Sequence, residues 1–351
     1  MKTYRIALLP GDGIGKEVVP AAVKVLETAS RGFNLSFQRF DWGCEYYLQT
    51  GRMMPPDGLD QLRPFDAVLL GAIGHPTVPD HISLRELLLR IRFEFDLYVN
   101  LRPVEILPGL ECPLRRKRPE DVHMLFVREN SEGEYSGLGG RFHRGTPEEV
   151  AIQESVFTRK GVERIMRYAF ERARSRPRKL LASVTKSNAM QYGMVLWDEI
   201  FREVAREYPD VTTAQYHVDA AAARMITAPE SLDVVVASNL FADILTDLGG
   251  ALQGSLGLAA SANINPAERL GPPVFEPVHG SAPDIEGRGI ANPIATIWAA
   301  SMMFEHFGET EAAARVFRAL GAVTAAGRVR TPDLGGTSTT AEFASAVIDQ
   351  L

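Results

Sequence analysis

Two aspartates, Asp243 and Asp247, stand four residues apart in the stretch NLFADILTDLGG. On a helix that spacing puts both carboxylates on one face. Their apolar neighbours Ile244, Leu245 and Leu248 predict a partly buried helix. Like charges on one face repel unless a cation lies between them, and hard divalent ions such as Mg²⁺ or Mn²⁺ take carboxylate oxygens. A plain acidic face in solvent has the same pattern, so the pair alone leaves both readings open.

Arg92 and Arg102 flank FEFDLYVNL, and Arg128 ends the strand-like run MLFVR. A guanidinium fork grips a carboxylate with two parallel bonds, so three converging arginines would recognise a small dicarboxylate. Their spacing does not establish convergence, and each alone reads equally as a surface charge. Tyr135 lies in SEGEYSG, Lys186 in TKSN and Asp219 in HVDAAAARM. Lys186 falls between a strand end and a polar turn, a usual place for an active-site group in α/β folds. A buried lysine with a lowered pKa can act as a base, whereas a lysine at a helix start in solvent has the same local sequence. The loop FEPVHGSAPDIEGRGIANP, 275–293, is rich in glycine and proline. Such a loop can wrap an adenosine, with Asp284 accepting from ribose hydroxyls and repelling a 2′-phosphate.

These groups need a scaffold, and the chain alternates strand and helix patterns from its start. YRIALL reads as a strand, 16–29 as a helix, NLSFQRF and FDAVLLGAI as strands. DVHMLFVRE and EVAIQESVFTR read as strands joined by a long polar, glycine-rich connection. Helices follow at 160–175 and 191–207 and from Asp219, interleaved with the strands KLLASVTK, VTTAQYHV and LDVVVASN. Two more helices near 293–306 and 309–325 and a closing helix complete the chain. This alternation predicts an α/β fold with a mostly parallel sheet. The turn LLPGDGIGKEV, 8–18, resembles a dinucleotide fingerprint, but its glycines are Gly11, Gly13 and Gly15, with Lys16 at the sixth position. It fails the Rossmann pattern and reads as a tight strand-to-helix turn.

The 351 residues suggest about two domains. A net charge of −6 disfavours a nucleic-acid partner, and the one basic run, LRRKRP, is brief. Two distant cysteines, Cys44 and Cys112, make neither a disulfide framework nor a zinc site. The most apolar stretch, 248–262, is too short and glycine-rich to span a membrane, and the N-terminus lacks a signal-peptide pattern. The expected compartment is the cytoplasm.

Taken together, GDGIGKE, NLRP, RENSEGEY, TKSN, SNLFADILTDLGG, EPVHGSAPDI and IANP resemble, in order, the tags of one family. These are the decarboxylating dehydrogenases of 3-isopropylmalate, isocitrate and D-malate or tartrate. The resemblance implies an isopropylmalate dehydrogenase-like fold distinct from Rossmann, with two α/β domains. The first, cofactor-binding domain is discontinuous, 1–101 and 254–351; the second, 102–253, carries dimerisation, metal and substrate groups. It further implies a homodimer with shared active sites, NAD, Mn²⁺ or Mg²⁺, and a monovalent cation such as K⁺.

Residue by residue, Arg92, Arg102 and Arg128 match the family's substrate-carboxylate arginines, with Leu88 and Leu89 in the specificity segment. Asp243, Asp247 and the partner subunit's Asp219 match the metal ligands; Tyr135 and the partner subunit's Lys186 match the acid–base pair. Gly13 and Ile14 fall in the turn beside the nicotinamide, and Asn188 and Glu276 match positions near it. His279, Gly280, Ser281, Ala282, Asp284, Ile285 and Asn292 match the adenosine site. Members using NADP carry lysine and tyrosine where Asp284 and Ile285 stand, so the resemblance also implies NAD.

In LRELLLRIR, Glu86 and Leu88 replace the serine and asparagine that hold isocitrate's extra carboxylate in bacterial-type enzymes. A negative Glu86 is a poor host for another carboxylate, but the leucines suit isopropylmalate too. Longer stretches, such as DWGCEYYLQTGRMMPPDG and QESVFTRKGVERIMRYAFERARSRPRK, look most like the D-malate/tartrate branch. The expected reaction is therefore oxidative decarboxylation of D-malate to pyruvate and CO₂, with activity on tartrate. Isopropylmalate oxidation is the alternative, and a non-catalytic ligand-binding subunit a second one, disfavoured because the acid–base and metal positions are all filled.

Overall fold

A computed structural model describes residues 1–351 and divides into two compact units. Unit 1 comprises Met1–Leu97, Arg102–Val122 and Gly249–Leu351; unit 2 comprises Tyr98–Leu101 and His123–Leu248. The first unit is thus discontinuous; relative to the expected segments it gains residues 102–122 and 249–253 and loses 98–101 to unit 2.

The sheet of unit 1 runs Asn34–Arg39, Thr3–Gly11, Ala67–Ala72, Val274–Pro277, Ala260–Ile264. The first four strands pair in parallel, with Ile6 opposite Ala67 and Val274 opposite Val68; Ala260–Ile264 is antiparallel to its neighbour. Every residue of Ala67–Ala72 is buried, as a parallel strand covered on both faces requires, which is why it reads as an unbroken apolar run. The helix Ile294–His306 is apolar nearly all round and correspondingly buried. Residues 274–277, expected to open the 275–293 loop, instead form a strand. This strand and Ala260–Ile264 escape the period-two pattern because the polar Ser261, Asn263 and Glu276 are buried in the sheet.

In unit 2 the parallel order is His123–Glu129, Val234–Ala237, Leu180–Thr185, Thr212–His217. Arg159–Ser175 and Gly193–Ala205 follow amphipathic patterns and bury one face each. Residues 149–159 do not make one strand. Only Val150–Gln153 is extended, and it pairs antiparallel with Gly139–Phe142, inside what reads as a polar connection. Both strands are exposed along their length, so no core imposed an alternating pattern on them. No helix is long and apolar enough to cross a membrane.

Candidate active site

In unit 2 the fold gathers four side chains from three segments. Arg128, near the C-terminal end of its strand and 1% exposed, donates from Nε and Nη2 to Asn239 Oδ1 at 3.0 and 2.7 Å. Its Nη1 pairs with Asp243, one helical turn beyond Asn239. The Tyr135 hydroxyl donates to the other oxygen of Asp243 at 2.6 Å, and its ring lies 5.5 Å from the Arg128 guanidinium. Asp247, on the same helix face, is exposed. The phenol proton is therefore directed at a carboxylate that an arginine already holds.

Tyr135 is placed by a turn in which Gly133, at φ +78°, exchanges backbone hydrogen bonds with Val156. Glu132 accepts from Thr158 N and Oγ1 at 2.9 and 2.8 Å. Glu134 accepts from Ser238 Oγ at 2.8 Å and from Leu240 N at 3.2 Å. A carboxylate at the start of the Asn239–Gln253 helix satisfies an orphan donor and faces the positive end of the helix dipole. Sequence reading missed Asn239, Glu134 and Glu129. Only the acid directly before Tyr135 signalled such an anchor.

Glu129 is 1% exposed; Oε1 accepts from Ser131 N and Oγ, and Oε2 from Glu132 N. Burial nevertheless prevails over these donors and pushes its carboxyl up to about 7. A carboxyl raised above its unfolded value favours the folded state fully below the unfolded pKa, and that contribution is lost as pH rises through the folded one. Between about pH 4.5 and 7 the loss amounts to about 3 kcal/mol at 1.36 kcal/mol per unit. Glu129→Gln should remove this pH dependence. Urea unfolding of both proteins at pH 5 and pH 8 measures it, and parallel pH profiles would reject the assignment.

Lys186 and Asp219 meet in the same chain, Nζ to Oδ1 2.7 Å, with Asp219 largely exposed in the first turn of Val218–Thr227. The ammonium holds the Asp219 carboxyl below the usual carboxylate range. Lys186 is half-buried and ion-paired, unlike the buried lysine base that its strand-end position allowed. No group of three His, Cys, Asp or Glu side chains within the chain can hold a metal. One copy thus offers Asp243 and Asp247 without Asp219 beside them. Asn188 is exposed in the turn after the strand.

In unit 1, Arg92 and Glu276 form a buried ion pair at 2.6 Å, and Asn263 Nδ2 donates to the same Glu276 oxygen at 2.8 Å. Arg92 follows a π-helical segment, Leu84–Leu89, a distortion frequent at functional sites. Leu88 joins the apolar cluster of Leu87, Ile91 and Phe95, and Leu89 is also buried. Arg102 is 5% exposed.

The glycine turn is tightly packed. Gly11 and Gly13 have φ of +67° and +53°, and a Cβ on Gly13 would stand 2.0 Å from the Ser281 carbonyl oxygen. Ile14 N donates to that oxygen at 2.9 Å, and Ile14 packs with Val18, Ala291, Ala282 and Ile285. The 8–18 turn and the 279–292 loop are therefore one packed structure. Within it Ala282 is left-handed at φ +42°, and Gly280 and Asp284 are exposed. Asn292 caps Ile294 N and donates to Asp333. Burial lowers the His279 pKa, leaving a neutral ring whose Nε2 is buried and makes no hydrogen bond within the chain.

A buried arginine, a phenol aimed at a carboxylate and a further carboxylate one turn on suit chemistry on small hydroxy-acids. Comparison with known proteins agrees. The isocitrate/isopropylmalate dehydrogenase family matches residues 5–347, and the chain belongs to that family. Its members generally depend on NAD(P) and a divalent metal. Within it, the chain is 57% identical to a probable tartrate dehydrogenase/decarboxylase of Agrobacterium vitis, covering 100% of this chain and 98% of that one. It is 55% identical to D-malate dehydrogenase [decarboxylating] of Escherichia coli (strain K12), covering 99% and 98%. The crystal structure of isocitrate dehydrogenase from Methylococcus capsulatus matches with a TM-score of 0.89 at 39% identity, over 99% of each chain.

Proposed function

We propose that this protein is an NAD- and divalent-metal-dependent dehydrogenase that converts D-malate to pyruvate and CO₂ and also acts on tartrate. The observation that carries the reading is the hydrogen-bonded set Arg128–Asp243–Tyr135, which joins an anion-binding group, a metal-ligating type and a proton donor. The printed names of the relatives supply the substrate class.

The residues fit the two groups this chemistry needs. Asp243 and Asp247 are the hard oxygen donors that Mg²⁺ or Mn²⁺ takes, and the partner subunit's Asp219 completes the set. Apolar side chains left exposed support a homodimer: Ile244, between the two aspartates, is 57% exposed, and Phe142 on the two-stranded sheet is 56% exposed. For NAD, the free Nε2 of His279 and the exposed carboxylate of Asp284 are suited to an adenosine.

Arg92, Arg102 and Arg128 bind the substrate carboxylates and orient the hydroxyl-bearing carbon. When bound, the metal acidifies the hydroxyl and stabilises the charge left by CO₂, while the nicotinamide accepts hydride. The partner subunit's Lys186, whose ammonium first releases a proton to solvent, takes the hydroxyl proton as the neutral amine. Tyr135 returns a proton to the carbon that loses CO₂. The balance closes: malate dianion and NAD⁺ give pyruvate, CO₂ and NADH, and the hydroxyl proton reappears in the methyl group.

NADH formation from D-malate, D- and L-tartrate, 3-isopropylmalate and isocitrate with Mn²⁺ tests the proposal. D-malate and tartrate should lead, and faster turnover of isopropylmalate would overturn it. Asp284→Lys should lower the NAD over NADP preference by about tenfold or more, because it removes the ribose acceptor and attracts a 2′-phosphate. An unchanged ratio of kcat/KM values counts against the adenosine assignment.

A further inference from the structure

The stretch bearing Asp284 is exposed from residue 283 to 288 except for Ile285, and glycines at 287 and 289 have φ of +75° and +64°. A cavity of about 520 Å³ lined by Glu17, Pro20, Lys24, Arg288 and Thr340 lies at its far end, so within the stretch only Ile285, packed against Ile14, Val18 and Ala291, supplies apolar support. Its outer ends are anchored by backbone bonds, Ile14 N to Ser281 O at 2.9 Å and Thr340 N to Gly289 O at 2.9 Å. Between these anchors, two side chains of the first turn of Gly15–Ala29 reach the loop. Glu17 Oε1 accepts from Gly287 N at 2.7 Å. Lys16 Nζ bridges Glu286 at 3.1 Å and Glu45 at 2.5 Å.

We propose that Glu17 and Lys16 are positioning residues that latch the 284–288 stretch and thereby hold Asp284 in register for the adenosine ribose. The inference rests on the NAD reading above. A carboxylate accepting a backbone N–H makes a charge-assisted bond, and at a helix start the dipole favours that charge. Glu17 is therefore the stronger half of the latch. The Lys16 pairs are partly exposed and contribute less, chiefly by neutralising Glu286, two residues from Asp284. Neither residue needs to touch coenzyme; a loop held only by its ends and by Ile285 must be further ordered on binding, which weakens affinity and leaves turnover intact.

Calorimetric NAD binding, steady-state kinetics and amide hydrogen exchange on the whole enzyme test this. Glu17→Ala should raise the NAD Kd about tenfold with kcat at saturating NAD within twofold of wild type, and should speed exchange at the Gly287 amide at least tenfold. Glu17→Gln, which keeps an acceptor, should stay within about threefold in Kd, and Lys16→Met should raise it by a few-fold. If Glu17→Ala does not accumulate, Glu17→Asp, too short to reach Gly287, takes its place. An unchanged NAD Kd, or parallel losses in kcat and in the KM for D-malate, would overturn the latch. Wild-type protein that binds no NAD would remove the coenzyme reading alone, and exchange at Gly287 would still decide whether Glu17 holds the loop.

Discussion

Asp243→Asn should lower kcat/KM for D-malate by about a thousandfold or more. Asp243 occupies two roles at once, pairing with Arg128 and accepting the Tyr135 hydrogen bond, and in the proposed enzyme it also ligates the metal. Weakening a Lewis-acid site forfeits several kcal/mol of transition-state stabilisation, and each 1.36 kcal/mol is a factor of ten. Asparagine keeps the shape but not the charge, and it leaves the buried Arg128 with Asn239 as a neutral partner. The fold should therefore persist with a lower thermal midpoint. Metal titration and kinetics read the two effects separately. Activity within tenfold of wild type at saturating Mn²⁺, with unchanged metal affinity, would remove Asp243 from the site.

Tyr135→Phe is the second large effect. It should lower overall turnover by about 10²- to 10⁴-fold, the range of a positioned general acid. The ring stays beside Arg128, so only the proton donor is lost. Hydride transfer precedes the protonation and should suffer less. A single-turnover experiment separates the steps by comparing NADH appearance with pyruvate release. NADH should form at a rate much closer to wild type than pyruvate does. Equal slowing of both would reject the acid role and leave Tyr135 as a positioning group.

These two side chains also show what a linear reading reaches. Asp243 and Asp247 share a face because helical geometry is local: 3.6 residues per turn bring positions four apart together whatever surrounds them. The turn glycines at 11 and 13 are legible likewise, since a left-handed backbone is a local demand. The alternation of apolar runs with amphipathic patterns reports the parallel sheets, because burial on both faces leaves no polar positions. The short exposed hairpin at 139–153 left no such imprint, lacking a core to face.

What the sequence alone determined was therefore the periodic elements, the faces of single helices and the set of residue types able to do the chemistry. Tertiary structure decided their partners: Asp243 joined to Arg128 across 115 positions and to Tyr135 across 108, and Arg92 committed to Glu276 across 184. It also chose the strands at 260–264 and 274–277, whose buried polar residues contradict any local hydrophobic pattern. The physical reason is the same throughout. Backbone geometry and side-chain period are set within a few residues, whereas a charge pair or a buried polar strand is stable only where sheet order brings its partner close enough to replace water.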